Sequence, residues 1–121
     1  MAIVKLNLSG HDNAELTALG YKTFKMHVDL ADPELPGKVA KFLQEQCGVG
    51  SSDSVYVALP GLGALAVITM VALHGITGQF ASLVAMSRNR DGTFSPVEPI
   101  DLQAFRSDLA RAKHREGVVI L

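Results

Sequence analysis

The sequence predicts an α/β fold: a single Rossmann-like domain with a mostly parallel sheet flanked by helices. Three observations carry this. Strand-like and helix-like segments alternate along the chain. The segment Ser54 to Leu59 (SVYVAL) is apolar on both faces, as a central parallel strand should be. Finally, no Asp, Glu, Lys or Arg occurs from Ser54 to Ser87, although the chain carries 11 Lys+Arg and 12 Asp+Glu. A strand, a helix and a strand buried in succession account for that gap. The 121 residues fit one domain, spanning 1–121, and a chain this size buries roughly two-thirds of its unfolded surface.

Each element has a local reason. Ala2 to Leu8 alternates Leu6 and Leu8 with Lys5 and Asn7, the period of a strand. Ser9-Gly10-His11-Asp12-Asn13 is a turn-forming cluster able to cap a short helix from Ala14 to Leu19, which Gly20 stops. Tyr21 to Val28 reads as a second strand. Pro33 and Pro36 mark a loop before an amphipathic helix, Leu35 to Cys47, with Val39, Phe42 and Leu43 on one side and Gly48 as its stop. After the central strand, Pro60-Gly61-Leu62-Gly63 turns into an apolar helix from Leu62 to His74. Phe80 to Ser87 is another apolar strand, closed by the polar turn Arg88 to Gly92. Thr93 to Ile100 suits a short edge strand limited by Pro96 and Pro99. Asp101 caps a last helix, Leu102 to Lys113, and Val118 to Leu121 can form a terminal strand.

Composition narrows the function classes. A net charge of −1 provides no broad basic field, so DNA is not an expected partner and any nucleotide must be held by a local site. One cysteine, Cys47, excludes an intramolecular disulfide and a multi-cysteine zinc site. Gly and Pro interrupt the uncharged stretch, leaving Leu62 to Leu73 too short for a membrane span, which needs about 20 apolar residues. No membrane partner and a cytoplasmic location are expected. The helix from Leu62 to Leu73 is apolar on every face apart from Thr69, so one face covers the sheet and the other needs a second cover. A homodimer supplies it, the alternative being the C-terminal helix.

In open α/β sheets ligands bind beyond the carboxyl ends of the strands, and three loops meet that condition. Pro60, Gly61, Leu62 and Gly63 offer backbone N–H groups at a helix N-terminus, although the same loop can be a tight turn whose glycines serve packing. Arg88 and Arg90 can pair with phosphate, and Asn89 can read a base or ribose edge; a solvated turn is the alternative. Ser9, Gly10 and His11 bring a hydroxyl and an imidazole together, with His11 able to act as acid or base near neutral pH. His27 and Asp29 lie on one side of a strand, but two ligands make no metal site. His74 suits the end of its helix, and His114 falls in a charged helix end. No metal and no cofactor are expected.

The first strand ending in Ser9-Gly10-His11, the stretch Leu59-Pro60-Gly61-Leu62, Leu73-His74-Gly75 with Gly78, and a strand ending in an Arg/Asn turn carry a resemblance. Over roughly Met1 to Ile100 the chain resembles the small stand-alone CRISPR-associated Rossmann-fold (CARF-like) ancillary proteins of type III CRISPR systems, which are related to ring nucleases. The resemblance implies a homodimer, able to assemble further, that binds a cyclic oligoadenylate across its twofold axis, with cyclic tetra-adenylate the expected ring. It implies that the protein lowers the free messenger in antiviral signalling, by sequestration or by metal-independent cleavage through attack of a ribose 2′-hydroxyl. On this chain Ser9, Gly10 and His11 would approach ribose and phosphate, Pro60 to Gly63 would supply backbone donors, and Arg88, Asn89 and Arg90 would hold phosphate or adenine. His11 and Arg88 would be the catalytic candidates. The rival is a non-enzymatic subunit that docks another protein through residues 54–87.

Overall fold

The computed structural model describes residues 2–116, with side chains through Lys113. The expected strand over Val118 to Leu121 and the side chain of His114 lie outside the described residues. In chain order the elements are β1 (Ile3–Asn7), α1 (Ala14–Ala18), β2 (Lys22–Thr23), α2 (Leu35–Glu45), β3 (Ser54–Ala58), α3 (Gly63–Thr77), β4 (Ser82–Leu83), β5 (Met86–Arg88), β6 (Phe94–Pro96), β7 (Ile100–Asp101) and α4 (Leu102–Glu116). The main sheet has the order β2-β1-β3-β4-β7, its first four strands parallel and β7 antiparallel to β4. A separate antiparallel pair, β5 with β6, forms a hairpin.

The chain steps one way from β1 to β2 and the other way from β2 through β3 to β4. Right-handed crossovers therefore place α1 on one face and α2 with α3 on the other. The buried clusters follow that division. Leu6, Leu8, Val55 and Val57 pack with Val39, Leu43, Leu65 and Leu73 from α2 and α3. Leu16 of α1 packs on the opposite face with Tyr21, Ala58 and Val84. β3 is apolar on both sides because both sides are covered.

Two expected strands are shorter than their alternation suggests. Only Lys22 and Thr23 pair with β1, as partners of Leu6 and Asn7. After the amide of Phe24 donates to the Asn7 carbonyl at 3.0 Å, the chain leaves the sheet. The apolar side chains Phe24, Met26 and Val28 pack against the α2/α3 core, with Phe24 edge-on to Phe42 at 6.3 Å. Burial against a helix replaces ladder bonds that β1, ending at Asn7, cannot offer. Likewise Phe80 to Ser87 is not one strand. The Val84 amide makes a last bond to the Val57 carbonyl at 2.9 Å; beyond it the chain pairs within the β5–β6 hairpin. The expected edge strand Thr93 to Ile100 divides into β6 and β7 around Val97, Glu98 and Pro99.

Helix α3 continues past the expected stop at His74 and Gly75. It closes at Gly78, whose φ of 82° suits glycine and whose amide donates to the His74 carbonyl at 2.8 Å. The Thr77 hydroxyl, bonded to the Leu73 carbonyl at 2.8 Å, extends the last turn. One side of α3 buries Leu65, Thr69, Leu73 and Thr77, while Val67 and Val71 stay 64% and 67% exposed. α4 does not cover them among the described residues; it packs beside β4, where the Gln103 side chain accepts from the Phe80 amide at 3.0 Å. No helix among the described residues is long and apolar enough to cross a membrane.

Candidate functional site

The sheet changes direction of winding between β1 and β3, so the loops after these strands diverge to opposite faces and leave a crevice at their carboxyl ends. The loop after β1 is organised by Asn7, which is 0% exposed. Its Nδ2 donates to the His11 carbonyl at 2.9 Å and to the Thr23 hydroxyl at 3.2 Å. Its Oδ1 accepts from the Ser9 amide at 3.1 Å and the Ser9 hydroxyl at 2.7 Å. Both amide ends are thus satisfied, as burial demands, and three segments are tied to one side chain. In the alternation of β1, Asn7 reads as an outward polar residue. A carboxamide at the last position of a strand, one residue ahead of a Ser-Gly turn, was the available signal.

The predicted residues of this loop divide into two kinds. Ser9 is spent on the turn itself: besides Asn7, its hydroxyl oxygen is within 3.3 Å of the His11 amide. Gly10 has φ 84°, the left-handed conformation that glycine tolerates. His11 is exposed, and its ring has no hydrogen-bond partner among the described residues. Asn13 closes the loop by capping α1, its Oδ1 accepting from the Leu16 amide at 3.0 Å.

The loop after β3 lies on the other side of the crevice. Pro60 is half-buried, whereas Gly61, Leu62 and Gly63 are exposed. Leu62, with φ −83° and ψ 118°, is the extended residue before α3 and provides no side-chain cap. The first helical bond runs from the Ala66 amide to the Leu62 carbonyl at 2.9 Å, leaving the amides of Gly63, Ala64 and Leu65 free of helical partners. There is no acidic residue in that first turn to complement the positive end of the helix dipole. Neither glycine is required by the fold. A Cβ at Gly61 or Gly63 would meet no atom within 4 Å, and neither has a positive φ. The packing explanation for this Gly-x-Gly turn therefore fails within the chain.

Arg88, Asn89 and Arg90 sit at the turn of the β5–β6 hairpin, exposed. Asn89 is committed to that turn, its Nδ2 donating to the Thr93 and Ser95 hydroxyls at 3.0 and 2.9 Å. Asp91 accepts from the amide and hydroxyl of Thr93, and those bonds hold its carboxyl below the usual range. Arg88 and Arg90 pair with no acid among the described residues. The hairpin is moored to the β1 loop and α1: Asn13 donates to the Phe94 carbonyl at 3.0 Å, and the Ser95 hydroxyl to Glu15 at 2.7 Å. The hairpin thus flanks the Ser9–His11 side of the crevice, while no hydrogen bond joins it to Pro60–Gly63 among the described residues.

His11, Gly61, Leu62, Gly63, Arg88 and Arg90 around this crevice are all exposed. Two clefts of about 220 and about 270 Å³ lie elsewhere. The smaller is lined by Tyr56, Ser82, Asp101 and Gln103 beside α4. The larger lies between α2 and the segment after β2, with His27, Asp29 and Lys38 at its rim over Leu35 and Phe42. His27 and Asp29 gain no third ligand there, since the described residues contain no group of three or more His, Cys, Asp or Glu placed to hold a metal ion. Burial pushes the Cys47 thiol up to about 11, which removes it as a nucleophile at neutral pH. His74 stacks at 4.4 Å on Phe80 in the last turn of α3. Compared with protein-family models, with curated proteins and with solved structures, the chain matches none.

Proposed function

We propose that this protein binds a cyclic oligoadenylate, cyclic tetra-adenylate first, at the carboxyl edge of β1 and β3, and lowers its free concentration by holding it. The observation that carries the reading is the exposed start of α3. Three amides there lack helical partners, and two glycines have no role in the chain's own packing or backbone conformation. Such a surface admits a phosphate close to the backbone and meets it with N–H donors and a positive helix end. His11 and the unpaired Arg88 and Arg90 surround the other side of the crevice. An open site on one subunit fits a ligand with two equivalent halves, each bound by the same loops in an isologous dimer.

Sequestration is the form of the activity proposed. His11 has no carboxylate fixed to its ring among the described residues, and the side chains of Ser9 and Asn89 are taken up by their loops. A native gel with labelled cyclic tetra-adenylate, run in chelator and followed by recovery of the label, tests this. A shifted band releasing intact ring supports it. Linear fragments would establish ring cleavage and make His11 and Arg88 the first residues to replace. If neither the tetra- nor the hexa-adenylate ring shifts the protein, the messenger reading is lost, and docking of another protein through residues 54–87 takes its place.

A further inference from the structure

The segment that follows β2 is an edge without a neighbour. β2 is the outermost strand of the main sheet, so its side away from β1 is open. From Phe24 to Asp29 the chain neither bends nor turns, and its exposure alternates. Phe24, Met26 and Val28 pack on the α2/α3 core, while Lys25, His27 and Asp29 are exposed. That period of two belongs to an extended strand. The residues from Thr23 to Val28 span about 20 Å, an ordinary strand length.

The backbone of this segment is unspent. The Phe24 amide donates to the Asn7 carbonyl, but from Lys25 to Val28 no amide or carbonyl has a hydrogen-bond partner among the described residues. Successive peptide groups of a strand point to opposite sides, so those of Lys25 and His27 face away from β1, toward the open edge. A second feature lies beside them. The cleft of about 270 Å³ against α2 is walled by Met26, Val28, Leu35, Val39 and Phe42. The acids at its rim are engaged within the chain: Asp29 accepts from the Ala31 amide at 2.9 Å, and Asp32 from the Glu34 amide and Lys38. Lys22 and Lys25, by contrast, pair with no acid among the described residues.

We infer that this edge takes up an extended acidic segment of another protein by strand addition. Main-chain bonds to Lys25 and His27 supply the affinity, and alternate side chains supply the selection. An added strand alternates as the edge does. One set of its side chains lies over the cleft and is apolar; the other lies beside Lys25 and is acidic. A second copy of this chain does not fit the same edge, because symmetric pairing centred on this segment sets lysines against each other. The edge lies across β1 from the Gly61–Gly63 turn, so the inference stands apart from ring binding.

Amide exchange followed by NMR on the full chain tests this in two steps. In the free protein the Lys25 and His27 amides should exchange as fast as unstructured ones; protection there would overturn the inference. The probe is then a short peptide alternating Glu with Leu, which should slow both amides at least tenfold. A peptide alternating Lys with Leu should leave them fast. No slowing at millimolar Glu–Leu peptide overturns strand addition, and equal binding of the two peptides overturns the acidic partner. Lys25→Pro should abolish binding with the melting temperature unchanged, since that amide bonds nothing within the chain. Should that variant misfold, Lys25→Glu serves instead: it should weaken the Glu–Leu peptide about fivefold and favour the Lys–Leu one, and an unaltered preference would again overturn the inference.

Discussion

Replacing Gly61 and Gly63 together by alanine separates stability from binding. A Cβ at either position meets no atom within 4 Å, and neither residue has a positive φ. Alanine then acts mainly by restricting the unfolded chain, which stabilises by about 0.4–1 kcal/mol per site. For a domain of this size the pair should raise the melting temperature by on the order of 5 °C. Ring binding should move the other way. Two methyl groups placed over the free amides of Gly63, Ala64 and Leu65 obstruct one or more hydrogen bonds to a charged phosphate. Each such bond contributes about 1.5–3 kcal/mol, so affinity should fall about 10- to 150-fold. Thermal unfolding by circular dichroism and a fluorescence titration with labelled cyclic tetra-adenylate measure the two effects on one sample. A higher melting temperature with affinity within twofold of the parent would refute the cradle. A lower melting temperature would show that the glycines serve packing after all.

Other consequences are as direct. Asn7→Ala should destabilise by about 2–3 kcal/mol in urea unfolding, because it strips buried partners from Ser9, His11 and Thr23; a change under 0.5 kcal/mol would show that the loop is not held by this side chain. Arg88→Ala and Arg90→Ala should each weaken ring binding by about 10-fold and flatten its salt dependence, leaving the melting temperature unchanged. Unaltered affinity in both would take the hairpin out of the site. Cys47, with its thiol raised to about 11, should react slowly with iodoacetamide at pH 8 and faster in urea. The sign for stability follows. Burial favours the neutral thiol, so its contribution is complete below the ordinary cysteine range near 9 and is lost as pH rises toward 11; unfolding curves that strengthen across that interval would contradict it. Asp53 works in the opposite direction. Its carboxylate accepts from the Gly50 and Ala2 amides, which lowers its pKa, so its contribution is present above about pH 4 and lost in stronger acid. Asp53→Asn should flatten the acid limb of the stability curve.

The sequence by itself determined the elements whose reasons are local or purely compositional. The amphipathic period of α2, the doubly apolar β3, the uncharged α3 and the capping residues Asn13 and Asp101 are legible without a partner in view. So was the placing of the loops after β1 and β3 at strand ends, since strand-then-turn order along the chain sets it; the Arg88–Arg90 turn, expected at the end of a third sheet strand, belongs instead to the separate β5–β6 hairpin. What tertiary structure decided were the features that depend on which surface a segment meets. Phe24 to Val28 alternates like a strand, yet β1 runs out of partners and α2 offers burial instead. Phe80 to Ser87 has strand composition throughout, but the ladder with β3 stops at Val84 and the remainder turns into a hairpin. Asn7 looks like a solvated position until β2 and the Ser9 turn close over it, and only then does a buried carboxamide become the organiser of the site. The two glycines before α3 show the same limit from the other side. Their identity is visible in the sequence, but that nothing in the fold requires them emerges only from the space around their backbone.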